Sequence, residues 1–423
     1  MADTFGRTTQ SAIYLAGVAG TKPAVPVSAS ALEEAARRKL SAKAWAYVAG
    51  SAGSEHTAAS NLEAFRRWKI VPRMLAGTAE RDLSIELFGI RHPTPFLAAP
   101  VGVLDLAHPS ADLGIARAAA DLGIPYVLSN QASVPMEDVA DEMNAADRWF
   151  QLYWSSSDEL VASLVGRAER SGCSAIVVTL DTHTLGWRPR DLDLAYLPFA
   201  HGRGIAQYTS DPVFQRMVAE RAAAAGPAGK QRITPSSVAT LIDLSRNHPG
   251  AFADNVRSMV PRVAVQTFLD VFSRPSLTWP DLAFLRERTR LPILLKGIQH
   301  PDDAARALDE GMDGVIVSNH GGRQVDGAIG SLHALPGIVD RIDGRAPVLF
   351  DSGVRSGADA FVALALGARA VLIGRPYVYG LAVAGADGAR EVLRNLVAEL
   401  DLMLGLSGYR SVGELGPEAL VRI

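Results

Sequence analysis

The chain has 423 residues, 48% of them hydrophobic and 21% charged, with a formal net charge of −3. That length holds two or three average domains or one large α/β barrel, and the composition is that of a globular protein with a sizeable core. The small net charge gives no broad basic field and argues against a nucleic-acid partner, while the lone Cys173 excludes an internal disulfide and a cysteine metal cluster. No run of about 18 uninterrupted apolar residues occurs, so no membrane span is expected. The richest stretch, 358–373, is broken by Gly367 and Arg369 and divides into a helix and a strand.

Residues before about Ser30 are rich in Gly, Ala, Pro and Thr and predict an extended arm; Met1 to Arg7 lack the basic start and apolar core of a secretory signal. Helical periodicity covers 31–40 and 42–48, the second ending at Tyr47-Val48-Ala49-Gly50, and Glu55-His56-Thr57 opens a further segment. From Phe96 onward apolar runs alternate with amphipathic ones. Runs at 96–99, 126–129, 149–152, 175–179, 293–296, 314–317, 348–351 and 370–373 predict strands, and 111–122, 158–171, 301–310 and 357–366 predict helices between them. Repeated strand–helix units require parallel strands with right-handed crossovers and predict a (β/α)8 TIM barrel, with a doubly wound open sheet as the alternative.

The organisation expected is one domain over 1–423: an N-terminal arm with helices at 1–90, then the barrel at 91–423, interrupted after the fourth strand by an insertion at about 182–278. Usual βα loops have about 2 to 6 residues, so an insertion of this size predicts a lid over the barrel mouth. Within it, the Ala-rich stretch 222–230 is low in complexity and expected to be mobile.

Chemistry in such a barrel sits at the C-terminal ends of the strands. Ala99 follows the first predicted strand, Ser129 ends the second, Gln151 and Tyr153 close the third, and Thr179 and Asp181 the fourth. Lys296 ends the fifth, His320 follows the sixth, Asp351-Ser352-Gly353-Val354-Arg355 the seventh and Gly374-Arg375 the eighth. The stretch Ser318-Asn319-His320-Gly321-Gly322-Arg323-Gln324 combines a side chain that exchanges a proton near neutral pH with a planar fork of donors suited to a carboxylate. The loops after strands seven and eight commonly bind a phosphate in this fold, and here both join glycine to arginine, so a phosphate-bearing ligand is expected.

That heptapeptide resembles the signature of the FMN-dependent α-hydroxy-acid oxidases and dehydrogenases, and the likeness runs from about Tyr47 to the last helix. Asp211-Pro212-Val213-Phe214-Gln215 and Lys296-Gly297-Ile298-Gln299-His300-Pro301 are most similar to the lactate 2-monooxygenases within the family. The resemblance implies FMN, with Asp351, Ser352, Gly353, Arg355, Gly374 and Arg375 on its phosphate and ribityl chain. It implies that Ser129, Gln151 and Thr179 bond the flavin ring, that the backbone of Ala99 lies along it, and that Lys296 stands beside N1 and the C2 carbonyl. It implies no metal.

For the reaction, the resemblance implies oxidation of an L-2-hydroxy acid to a 2-oxo acid. Arg188 and Arg323 would clamp the carboxylate with help from Tyr47, Tyr153 would bond the hydroxyl, and His320 would act as base with Asp181 orienting it. Transfer of hydride and formation of a carbanion need the same residues, and both remain open. Molecular oxygen would reoxidise the flavin. A lid that retains the product gives the monooxygenase outcome, lactate to acetate, carbon dioxide and water; release gives a 2-hydroxy-acid oxidase producing hydrogen peroxide. A dehydrogenase using another acceptor is a further alternative. The family likeness also implies a homotetramer. The final residues, Leu420-Val421-Arg422-Ile423, differ from the Ser-Lys-Leu address of peroxisomal relatives, so a cytoplasmic location is expected.

Overall fold

The structure is a computed structural model and describes residues 4–224 and 234–423. All eight expected apolar runs form strands: β1 (Phe96–Ala98), β2 (Tyr126–Ser129), β3 (Arg148–Leu152), β4 (Ile176–Thr179), β5 (Ile293–Ile298), β6 (Gly314–Val317), β7 (Val348–Phe350) and β8 (Ala370–Ile373). Neighbours pair in parallel, and β8 returns to β1 with Val371 opposite Phe96 and Ile373 opposite Ala98. The sheet is therefore a closed barrel. Closure rules out the open-sheet alternative, which would leave two unpaired edges. Nearly every strand residue is buried. One face meets the barrel interior and the other the surrounding helices, which explains why the sequence shows continuous apolar runs and not alternation.

The helices between strands begin and end where local chemistry directs. Ser157 accepts from the Leu160 N–H at 3.3 Å to cap Asp158–Arg170, and Ser356 accepts from Asp359 at 3.1 Å to cap Gly357–Ala365. Gly123, at φ 64°, terminates Ala111–Leu122. The final helix, Arg375–Ser407, starts directly after β8 and breaks once, at Ala384 and Gly385.

The expected extended arm is instead largely helical, over Phe5–Val18. Tertiary docking decides this. The Gly6 N–H donates to Asp401 Oδ2 at 2.7 Å, and Arg81 grips the same carboxylate at 2.7 and 2.8 Å while donating to Thr4. A Cβ on Gly6 would lie 2.6 Å from the Ala398 carbonyl, so the glycine is what lets the two helices touch. Only Gly6 and Thr9 are buried in the helix, so no apolar stripe announced it.

The insertion folds as a helical cap, chiefly Pro189–Asp193, Pro212–Ala224, Pro235–Asn247 and Val260–Val271. Its centre is aromatic: Phe268 lies 4.8 Å from Tyr208, 5.3 Å from Phe199 and 5.2 Å from Phe272, ring centre to ring centre. Of the stretch expected to be mobile, 225–230 lies outside the described residues. Among the described residues no helix is long and apolar enough to cross a membrane, and no group of His, Cys, Asp and Glu has the makings of a metal site.

Candidate active site

The C-terminal ends of the strands and the underside of the cap enclose a cavity of about 280 Å³. Its wall includes Tyr47, Ala99, Tyr153, Thr179, Arg188, Lys296, His320, Arg323, Asp351, Ser352, Gly353, Arg355, Gly374 and Arg375. Residues drawn from the N-terminal helices, the barrel and the cap thus meet at one place.

His320 follows β6 on a turn where His320, Gly321 and Gly322 all have positive φ, at 57°, 66° and 78°. For a histidine this region is uncommon. The turn brings His320 Nδ1 to 2.8 Å from Asp181 Oδ1, with Thr182 Oγ1 3.2 Å away. Asp181 reaches this spot because β5 shifts register between Lys296 and Ile298 around Gly297, at φ 103°. A Cβ on Gly297 would lie 2.8 Å from the Asp181 Cβ. Burial pushes the Asp181 carboxyl up, but His320 and then Lys296 outweigh it and hold it at about 2. Burial pulls His320 below the ordinary imidazole value, against Asp181, which raises it. At neutral pH the pair is therefore an ionised carboxylate facing a neutral imidazole. The carboxylate fixes the proton on Nδ1 and leaves the Nε2 lone pair free to act as a base.

Four guanidinium groups share the cavity, of which Arg188 and Arg323 bond around Tyr47 and Gln324. Arg188, the residue before the cap helix Pro189–Asp193, donates from Nε to the Arg323 carbonyl at 3.1 Å and from Nη2 to Gln324 Oε1 at 2.7 Å. Arg323 donates to the carbonyls of Tyr47 and Gly50 at 2.7 and 2.6 Å and lies over the Tyr47 ring at 5.2 Å. These partners are neutral, so neither cation is compensated by them. Burial, with Arg323 second, lowers Arg188 to about 10. Tyr47 and Tyr153 are both buried, which raises both phenols and keeps them protonated donors at neutral pH.

The remaining wall, with Ser129 and Gln151 outside its lining residues, fits the expected cofactor. Gln151 Nε2 and Thr179 Oγ1 are buried and lack a hydrogen-bond partner, an arrangement that invites the polar edge of a bound ring. Gln151 is aligned by Ser129 Oγ, which donates to its Oε1 at 3.2 Å. Lys296 pairs with Asp351 at 3.1 Å and donates to Ser318 at 2.8 Å. Burial lowers its pKa, yet Asp351 and Asp181 outweigh this and raise it, so the ammonium stays charged. The Ala99 carbonyl accepts from Tyr377 at 2.6 Å. At the other end Arg375 begins the last helix and donates to Val48, Gly50 and Gly321 carbonyls and to Ser51 Oγ. Burial and then Arg323 lower it to about 9. A helix N-terminus with Arg355 and Arg375 beside Gly353 and Gly374 suits a phosphate.

Several contributors have contacts that the sequence does not disclose, Asn319 and Gln324 of the heptapeptide among them. Thr182 bonds both His320 and Asp181, and Gln324 donates to the carbonyls of Asp181 and Thr184 while accepting from Arg188. Asn319 and Asn61 bond each other reciprocally at 2.8 and 2.7 Å across 258 residues. Leu197, Phe199, Leu269 and Phe272 of the cap complete the apolar side of the cavity.

A family model described as FMN-dependent dehydrogenase matches residues 36–422. The chain is 43% identical over 401 residues to an FMN-dependent alpha-hydroxy acid dehydrogenase of Penicillium citrinum, covering 95% of this chain and 92% of that protein. It is 40% identical over 415 residues to an L-lactate oxidase of Lysinibacillus sphaericus, covering 98% and 97% respectively. A solved structure of mandelate oxidase with (S)-4-hydroxymandelic acid matches with a TM-score of 0.76 at 35% identity, covering 94% of this chain and 98% of that one.

Proposed function

This chain belongs to the FMN-dependent α-hydroxy-acid oxidase and dehydrogenase family, whose members use FMN to oxidise 2-hydroxy acids, and from that premise we propose its residue roles, its electron acceptor and its product. The observation that carries the proposal is the meeting of His320, backed by Asp181 at 2.8 Å, with Arg188 and Arg323 on one cavity.

FMN supplies the chemistry of accepting two electrons from the substrate C2–H bond and passing them to oxygen. Arg355, Arg375, Gly353 and Gly374 hold its phosphate, Asp351 and Ser352 its ribityl chain, and Ser129, Gln151, Thr179, Lys296 and the Ala99 backbone its ring. Arg188 and Arg323 bind the substrate carboxylate as charge-assisted pairs, and the Tyr47 hydroxyl donates a third bond to it. Tyr153 donates to the substrate oxygen. His320 takes up the substrate proton at Nε2, whether from the hydroxyl or from C2, and Asp181 stabilises the imidazolium that results. Fixing the carboxylate at two points orients the reacting carbon, and orientation of this kind is worth up to several kcal/mol of barrier.

The cap supports retention of the product. Its aromatic centre is continuous with the cavity wall through Phe199, and Arg203 anchors it to Asp105 after β1. A 2-oxo acid kept beside hydrogen peroxide is decarboxylated, so L-lactate and oxygen give acetate, carbon dioxide and water, the lactate 2-monooxygenase outcome. The likeness to an L-lactate oxidase favours a second reading, in which 2-oxo acid and hydrogen peroxide are released. Assembly as a homotetramer rests on the family likeness, and a cytoplasmic location and a single functional unit over 1–423 belong to the same proposal.

Anaerobic mixing with L-lactate followed by product analysis under oxygen tests this. Bleaching of the flavin and acetate with little free peroxide are expected. Stoichiometric pyruvate and peroxide would remove the monooxygenase outcome alone. Failure of every 2-hydroxy acid to bleach the flavin would remove the roles given to His320 and the arginines.

A further inference from the structure

The turn that carries His320 is fastened by a ring of hydrogen bonds that closes through a buried ion pair. Ser318 Oγ accepts from the His320 N–H at 3.0 Å and from Lys296 Nζ at 2.8 Å. Ser352 Oγ accepts from the Gly321 N–H at 2.9 Å and the Asn319 N–H at 3.4 Å, and donates to Asp351 Oδ1 at 2.7 Å. Asp351 Oδ2 pairs with Lys296 at 3.1 Å. Three successive backbone donors, those of Asn319, His320 and Gly321, thus end on two serine hydroxyls, and those hydroxyls end on the two members of the ion pair.

Ser352 occupies its place at a conformational disadvantage. Its φ is 82°, in the left-handed region where glycine is unstrained and a side chain is not. A glycine would satisfy the backbone but would leave the Gly321 and Asn319 donors and one Asp351 oxygen without that partner. The hydroxyl is therefore what the position gains in exchange for its strain.

We propose that Ser352 is a positioning residue for proton transfer: its hydroxyl ties the backbone around His320 to the Lys296–Asp351 pair and so sets the base against the charges at the cofactor ring. The inference rests on the reading of His320 as the base and goes beyond a contact of Ser352 with the cofactor. Lys296, Asp351, Ser352 and Ser318 close a ring through the backbone of Asn319, His320 and Gly321, so a displacement of any member is passed to the backbone that carries the imidazole.

Ser352→Gly tests it, since glycine relieves the backbone and leaves the fold intact. In the apoprotein, amide hydrogen exchange at 319–321 is expected to accelerate by about tenfold or more, with the strand amides of the barrel unchanged. In the holoenzyme saturated with FMN, flavin reduction by a 2-hydroxy acid is expected to slow by about ten- to a hundredfold while substrate Kd moves less than about threefold. Ser352→Ala keeps the strain and removes the hydroxyl, and is expected to share the kinetic defect. Native exchange at 319–321, or native reduction rates in both variants, would overturn the proposal. A rate that saturating FMN restores to native would also overturn it, by making Ser352 a cofactor contact only. The exchange measurement needs neither FMN nor substrate, so it judges the ring even if the assignment of His320 as base fails by its own test.

Discussion

Asp181→Asn is the most direct probe of the proposed base. The substitution keeps the size of the side chain and removes its charge. The difference between about 2 and the ordinary 3.8 for the carboxyl corresponds to about 2 to 3 kcal/mol in favour of the ionised form, after burial has already opposed it. Once His320 has taken the substrate proton, that carboxylate faces an imidazolium, and an amide gives up the attraction. Lys296 and Thr182 share in that shift with His320, so the loss in the transition state is about 1 to 2 kcal/mol, a fall of roughly 5- to 30-fold in rate. The assay is anaerobic stopped-flow reduction of the flavin across pH. In the native protein the rate should rise with pH through the His320 value, which burial places below 6.5. Asp181 raises that value, so the amide should move the acid limb to still lower pH while depressing the plateau. Stability follows the opposite path. A carboxyl depressed in the folded state contributes fully above about pH 4 and loses its contribution as pH falls towards about 2. The variant should lack this part of the acid unfolding. A plateau within about threefold of native, or an acid limb displaced upward, would refute the role given to Asp181.

Arg323→Lys exchanges a planar fork, whose Nη1 donates to both the Tyr47 and Gly50 carbonyls, for a single point charge; kcat/KM for a 2-hydroxy acid should fall by about a hundredfold. A change under about threefold would place the carboxylate elsewhere. Arg375→Gln removes the guanidinium that bonds Val48, Gly50 and Gly321. FMN should then bind the apoprotein at least about tenfold more weakly in a fluorescence titration. An unchanged Kd would show that the phosphate is held without Arg375.

The barrel could be read from the chain because strands buried on both faces leave a mark that survives without tertiary information. The predicted limits of β2, β6 and β8 coincide with those observed. The position of His320 and its neighbours was legible for a related reason: each follows a strand, and strand ends in a closed barrel point at one mouth. The helix Phe5–Val18 was not legible because its folding depends on Gly6 meeting Asp401, a contact 395 residues away. Arg188 could be assigned by family likeness, but not the amide that steers it, because Gln324 lies 136 residues further on with no periodicity linking them. The cap shows the same limit. An insertion of that length predicted a cover, whereas its aromatic centre at Phe268 exists only once helices distant in sequence have packed.

The arrangement of charge explains why this cavity needs its ligands. Arg188 and Arg375 are both held below the ordinary guanidinium value, by burial first and by Arg323 second. Their side-chain hydrogen bonds end on carbonyl, amide and hydroxyl oxygens, which satisfy donors but cancel no charge. Asp181 is committed to His320 and Asp351 to Lys296, and the attraction of Asp191 for Arg188 and of Glu33 for Arg375 is outweighed by burial and Arg323. Buried cations left in this state are costly until an anion joins them. The family's chemistry brings two anions, a cofactor phosphate and a substrate carboxylate. Arg323 is felt at both Arg188 and Arg375, so it stands electrostatically between the two anion sites. An anion on either side eases the repulsion felt by the other guanidinium. By linkage the two ligands then affect each other's affinity reciprocally, and each stabilises the folded chain that binds it.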